Sequence, residues 1–110
     1  MIFVARGPGE SYMRGIVEQT ALEPAAYFAL IEQANKPGLL SSAHTLTTAG
    51  GKPAVRWIYE AAASGTRLKF VEYQFLRRQF NVRISFWSPA SVFKSRESEF
   101  EHIMESLKDD

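Results

Sequence analysis

Two glycine-containing turns constrain this chain more than any other feature. Gly50-Gly51 and Ser64-Gly65 each separate two stretches in which apolar and polar residues alternate. Alternation with a period of two is typical of strands, and glycine supplies the positive φ that a two-residue hairpin turn requires. The segment from Ala49 to Leu107 is therefore predicted to be an antiparallel meander followed by an amphipathic helix.

The remaining elements follow from similar signals. Pro24 suits the first turn of a helix, and apolar residues follow it at helical spacing until residues 35–38 stop the pattern. This first stripe consists of Tyr27, Leu30, Ile31 and Ala34. The stripe of the closing helix consists of Phe93, Phe100, Ile103, Met104 and Leu107. Strands are predicted over residues 1–6, 12–19, 40–48, 53–62, 67–76 and 79–87.

The turns also predict which residues face each other across the strands. The two glycine turns place Trp57 opposite both His44 and Glu72. If Arg77-Arg78 forms the last turn, Glu72 lies opposite Arg83. These four side chains then form one row across four adjacent strands.

Both faces of such a sheet are apolar, so both need cover. Ile58, Val71 and Tyr73 lie on one face, and Val55, Tyr59 and Phe70 lie on the other. Two helices are available to cover them. We therefore predict a single α+β domain over residues 1–110, with a six-stranded, mostly antiparallel sheet, a helix against each face and the order β-β-α-β-β-β-β-α.

The composition argues against several classes of function. A net charge of +1 gives no general attraction to nucleic acid or anionic membrane. No stretch approaches the roughly 20 apolar residues that span a bilayer. The chain has no cysteine, which excludes thiol catalysis and cysteine zinc sites but fits either a reducing or an oxidising compartment. We expect a cytoplasmic location if the chain is complete, and a cell-envelope or periplasmic one if an upstream signal has been removed.

Motifs for catalysis or cofactor binding are missing from the sequence. There is no Gly-x-Ser-x-Gly and no pair of histidines at metal-ligand spacing. Gly50-Gly51-Lys52 lacks the spacer and the Ser/Thr of a phosphate-binding loop. Asp109 and Asp110 are the only aspartates and lie in the tail. We expect no metal, no cofactor and no enzymatic activity.

The row of His44, Trp57, Glu72 and Arg83 is the main candidate site, and two interpretations remain open. It mixes an aromatic ring with an imidazole and an ion pair, as binding sites do. The favoured interpretation is structural, with a cross-strand ion pair beside a half-buried tryptophan. A hydrolytic pair of His44 and Glu72 is the least favoured, because no nucleophile is placed beside them.

The turn Arg77-Arg78 is a second candidate surface. Arg67, Lys69 and Arg83 are near it in sequence, but alternation sends Lys69 and Arg83 toward carboxylates on different faces. A continuous basic stripe therefore does not form, and we do not expect nucleic-acid binding. The exposed turn also suits an acidic protein partner.

The C-terminal part of the chain has a distinctive segment. Residues 86–93 read Phe-Trp-Ser-Pro-Ala-Ser-Val-Phe and are followed by Phe100, Ile103, Ser106 and Leu107. With the element order, this segment resembles the PsbP/DcrB-like (Mog/PsbP) superfamily. The resemblance implies a non-enzymatic accessory or protein-binding module. It transfers no site residues, because the superfamily has no shared catalytic motif.

From these observations we predict a small non-enzymatic accessory or protein-binding module whose partner and oligomeric state the sequence does not identify. The alternative is a small-ligand-binding domain with a pocket around Trp57. A deep apolar cavity beneath Trp57 would favour the ligand, whereas a flat exposed patch would favour a protein. The candidate binding residues are His44, Trp57, Glu72, Arg83, Arg77 and Arg78.

Overall fold

The computed structural model describes residues 2–6, 11–49 and 51–106. The predicted break at residues 7–10, Gly50 and Leu107 lie outside the described residues. The strands are β1 (Ile2–Arg6), β2 (Tyr12–Glu18), β3 (Ser41–Ala49), β4 (Lys52–Ala63), β5 (Thr66–Arg77) and β6 (Phe80–Pro89). The helices are α1 (Pro24–Asn35) and α2 (Phe93–Ser106), and short 3-10 turns cover Lys36–Gly38 and Ala90–Val92.

All six strands form one open antiparallel sheet in the order β1-β2-β6-β5-β4-β3. The strands from β3 to β6 make a meander, and β2 pairs with β6 so that the N-terminal hairpin extends the sheet. The predicted α+β class, with an antiparallel sheet and two helices, is confirmed. The strands and helices begin and end within a few residues of the predicted positions. Two 3-10 turns, one before β3 and one before α2, are additional to the predicted order.

The register set by the two glycine turns is confirmed. Gly51 and Gly65 have φ values of 81° and 79°, in the region that favours glycine. His44 lies opposite Trp57, and Trp57 lies opposite Glu72. The strongest local signal in the sequence therefore positions the centre of the candidate row.

The predicted register of the last hairpin is wrong. Arg77 ends β5 and pairs with Phe80, so Arg78-Gln79 forms the turn, and Arg78 adopts a φ of 57° without being glycine. The residue opposite Glu72 is consequently Ser85 rather than Arg83. The shift is by an even number of residues, so every side chain keeps its predicted face.

Each face of the sheet has its own apolar cluster beneath one helix. On what we call the α2 face, three buried residues of α2 pack against strands β5 and β6; they are Phe93, Phe100 and Met104. On the α1 face, Phe28 packs against residues of β4; they are Val55, Trp57 and Tyr59. The predicted stripe of α1 is rotated, since Phe28 is buried and Leu30 is 58% exposed.

Buried Asn81 fixes the connection between β2 and α1. Its side-chain oxygen accepts hydrogen bonds from the Leu22 N–H at 2.8 Å and from the Thr20 hydroxyl at 2.5 Å. Its amide nitrogen donates to the Leu22 carbonyl at 2.7 Å. At the start of α1, the Tyr27 hydroxyl donates to Glu18 of β2. These contacts hold α1 against the face that carries the candidate row.

Candidate functional site

The candidate row lies on the α1 face and runs from the edge strand β3 to β6. His44, Trp57 and Glu72 are adjacent on β3, β4 and β5, as the turns predicted. Arg83 lies opposite Gln74 on the neighbouring strand and not opposite Glu72. Its long side chain still reaches the carboxylate, with Nε 2.8 Å from Oε2 and Nη2 3.2 Å from Oε1. The predicted ion pair is therefore present, along a diagonal.

Glu72 is 0% exposed and is the centre of a buried hydrogen-bond network. Besides the two contacts from Arg83, its oxygens accept from Gln74 Nε2 at 2.6 Å, Ser85 Oγ at 2.7 Å and the Tyr59 hydroxyl at 3.0 Å. A carboxylate offers about four lone-pair positions to donors. The donors of the protein itself therefore occupy this carboxylate.

The electrostatics keep Glu72 ionised. Burial acts to raise the pKa of Glu72, but the hydrogen bond and charge of Arg83, helped by Gln74 and Ser85, outweigh it and hold the pKa below its usual range. Burial and the charge of Glu72 raise the pKa of Tyr59. At neutral pH Glu72 is a carboxylate and Tyr59 is a phenol. Glu72 could act as a general base only by giving up bonds it already makes.

Trp57 lies beneath α1 and not at an exposed surface. It is 1% exposed, and Phe28 packs edge-on against it with ring centroids 5.3 Å apart. Its indole N–H donates to Ser42 Oγ at 2.8 Å, and that hydroxyl donates to Glu32 of α1 at 3.1 Å. Trp57 thus connects the edge strand, the sheet and the helix.

Seven rings form a continuous series of contacts across the α1 face, which we call the aromatic row. In spatial order they are Tyr12, Trp87, Phe70, Tyr59, Trp57, Phe28 and His44. Successive ring centroids are between 4.1 Å and 5.7 Å apart, so each ring contacts the next one. Only part of the row lies beneath α1, because that helix packs over β4 and β5.

One end of the aromatic row is partly open to solvent. Tyr12, Phe70 and Trp87 are each half-buried, and we call them the open end. The rings of Tyr12 and Trp87 stack with an interplanar angle of 17°, and the Arg14 guanidinium lies 5.9 Å from the centre of the Trp87 ring. Sequence reasoning missed this group, because Tyr12 reaches Trp87 only through the pairing of β2 with β6.

The other predicted site residues lie apart from this group. His44 is exposed on β3, and its ring centre is 4.3 Å from that of Phe28. Arg77 is half-buried at the end of β5, and Arg78 is exposed in the turn. Arg77 is five positions from Glu72 along β5, which corresponds to about 16 Å. The structure does not bring Arg77 and Arg78 together with the candidate row.

Neither a metal site nor a membrane span is found in the part of the chain that the structure describes. Within it, histidine and acidic side chains form no group of three or more that could hold a metal ion. Among the helices in residues 11–49 and 51–106, none is long and apolar enough to cross a bilayer.

Comparison with known proteins identifies the fold. The sequence matches no family model and none of the curated proteins. The structure is similar to PA94, a Pseudomonas aeruginosa protein of unknown function, with a TM-score of 0.82 and 14% identity over 97% of this chain and 81% of that one. It is also similar to LpqN of Mycobacterium tuberculosis, a protein involved in cell envelope biogenesis, with a TM-score of 0.73 and 13% identity.

The second of these similarities covers 93% of this chain but 65% of LpqN, so the chain spans less than two thirds of that protein. At these identities the likeness extends to the fold and not to a shared activity. The chain therefore has the α+β architecture of these two proteins.

Proposed function

We propose that this domain is a small non-enzymatic accessory module of the PsbP/DcrB-like superfamily and that it binds another protein through the open end of the aromatic row. Superfamily membership is supported by the strand and helix segment over residues 86–93 and by the similarity in fold to LpqN. Fold likeness alone does not assign a function. The binding role is therefore argued from the residues of the open end.

The observation that carries the proposal is the half-buried group of Tyr12, Phe70 and Trp87 beside Arg14. Tryptophan, tyrosine and arginine are the residue types most enriched among the energetic centres of protein interfaces. Rings already stacked in the free protein lose little conformational freedom when a partner covers them. The rings offer apolar area, and Arg14 suits an acidic or aromatic side chain of the partner.

A protein partner is favoured over nucleic acid because several basic side chains near the sheet are already engaged. Arg83 binds buried Glu72, and Arg67 lies 2.8 Å from Glu60. The Lys69 ammonium lies 5.1 Å from the centre of the Phe93 ring on the opposite face of the sheet. These cations do not line the open end as a basic groove for a phosphate backbone would require.

A non-enzymatic role is supported by the chemistry of the row. His44 on β3 and Glu72 on β5 are about 10 Å apart, because β4, which carries Trp57, lies between these strands. A catalytic pair needs hydrogen-bond reach, and the Glu72 oxygens already accept bonds from their neighbours. The alternative of a small ligand at Trp57 would need Phe28 and α1 to move aside, because the ring is covered.

Site-specific photo-crosslinking in cells of the source organism tests this proposal. A photoreactive phenylalanine analogue at Tyr12 should yield a discrete covalent adduct with one protein. The same analogue at Val92, which is exposed near the start of α2, is the matched control and should not yield it. Arg14→Glu should reduce the Tyr12 adduct while leaving the unfolding midpoint nearly unchanged. Equal labelling from both positions, or no effect of Arg14→Glu, would contradict binding at the open end.

A further inference from the structure

Strand β3 is a long and unprotected edge of the sheet. It is last in the strand order and pairs with β4 along residues 41–49, and no strand among the described residues pairs with its outer side. Natural edge strands are usually protected by charges, proline, bulges or short length. Ser41–Ala49 reads Ser-Ser-Ala-His-Thr-Leu-Thr-Thr-Ala, with no acidic residue, lysine, arginine or proline. Leu46 is 77% exposed on this edge.

The hairpin to β4 determines which backbone groups point outward. Ala49 and Lys52 flank the two-residue turn, and the pair that closes such a turn is hydrogen-bonded. Hydrogen-bonded and non-hydrogen-bonded pairs then alternate, so Thr45 directs its N–H and C=O toward β4. The residues that direct theirs to the outer side are Ser42, His44, Leu46 and Thr48.

We propose that two copies of this chain pair through β3 in antiparallel orientation, with Thr45 of each copy on the two-fold axis. In this register Ser42 of one copy pairs with Thr48 of the other, and His44 pairs with Leu46. Every outward N–H and C=O of β3 then has a partner, which gives roughly eight interchain hydrogen bonds. A register shifted along the strand would leave some of these groups unpaired.

The side chains also fit a second copy. Leu46 of one copy lies against His44 of the other copy, on the α1 face where Phe28 already contacts that histidine. Exposed apolar area is thereby removed from water. Because β3 has no acidic residue, lysine or arginine, two copies meet without repulsion between such side chains. For the same reason, the strand has no such side chain that would favour a partner strand of opposite charge.

This interface is separate from the proposed partner surface. Tyr12 of the open end lies on β2, near the opposite edge of the sheet. A dimer formed through β3 would leave both open ends available, one in each copy. The dimer and the proposed function can therefore be tested independently of each other.

Analytical ultracentrifugation of the full chain, from micromolar to sub-millimolar concentration, tests the dimer. The wild type should reach twice the 12.4 kDa mass of the chain. Leu46→Lys should remain monomeric, because it places a solvated charge at the centre of the interface. Leu30→Lys is the matched control, an exposed leucine on α1, and should still dimerise. A monomeric wild type, or equal behaviour of the two variants, would overturn the proposal.

Disulfide trapping tests the register. The chain has no cysteine, so Thr45→Cys introduces a single thiol, which on the two-fold axis lies within the Cα separation of a disulfide. Oxidation should convert this variant to a covalent dimer. Ala43→Cys is the control on the same face, and its two copies would be about 13 Å apart. Efficient trapping at Ala43 with none at Thr45 would overturn the register.

Discussion

Replacement of Arg83 by alanine should destabilise the domain strongly, because it leaves a buried carboxylate without its counter-charge. The Arg83 side chain is 12% exposed, and its Nε lies 2.8 Å from the Glu72 carboxylate. Removing one partner of a buried ion pair typically costs about 3–5 kcal/mol, out of a total stability of about 5–15 kcal/mol. We therefore expect Arg83→Ala to remove about a fifth or more of the free energy of unfolding.

Urea unfolding followed by tryptophan fluorescence measures this loss, since Trp57 lies next to Glu72 in the sheet. Arg78→Ala is the matched control, because Arg78 is exposed in the turn. Exposed substitutions usually change stability by less than about 0.5 kcal/mol. An Arg83→Ala midpoint that shifts no more than that of Arg78→Ala would refute a structural role for the ion pair.

The pH dependence provides a second check. Glu72 has a pKa lowered from 4.5 in the folded protein, so it binds protons less readily than in the unfolded chain. Its contribution to stability is present above the unfolded pKa and is lost as the pH falls through the folded pKa. Without Arg83, burial raises the pKa of Glu72 instead. The loss caused by Arg83→Ala should therefore be largest near neutral pH and shrink well below pH 4.5. A loss of stability that stays constant from neutral pH to well below pH 4.5 would contradict the negative charge assigned to Glu72.

Three further substitutions test the fold around the site. Phe100→Ala should cost about 3–5 kcal/mol, because Phe100 is buried between α2 and the sheet, and calorimetry should show a large drop in the melting midpoint. Gly65→Val should cost about 1–2 kcal/mol through backbone strain at φ 79°, measured as a lower urea midpoint with an unchanged slope. Asn81→Ala should cost about 1–3 kcal/mol and should speed amide hydrogen exchange at Leu22, whose N–H donates to the Asn81 side chain.

Local signals predicted the centre of the sheet correctly. Each glycine turn is read from neighbouring residues, and strand alternation then assigns faces without knowledge of the rest of the fold. This is why the pairing of Trp57 with His44 and with Glu72 could be predicted. The last hairpin was placed wrongly because its turn uses Arg78 at positive φ, and no glycine marks that position.

The orientation of α1 was a harder problem. Apolar side chains surround this short helix, so spacing alone admits more than one buried stripe. The structure buries Phe28 and exposes Leu30 because Phe28 fits against Trp57. The burial of Trp57 follows from that choice.

The sequence by itself determined the antiparallel meander, the faces of its strands and the apolar character of both sides, since these depend on turn geometry and a period of two. Only the tertiary structure decided which part of the α1 face is open. Pairing of β2 with β6 joins residues more than sixty positions apart, such as Tyr12 and Trp87. No local pattern encodes that contact. It forms because β6 would otherwise present an unpaired backbone edge, and the N-terminal hairpin satisfies it.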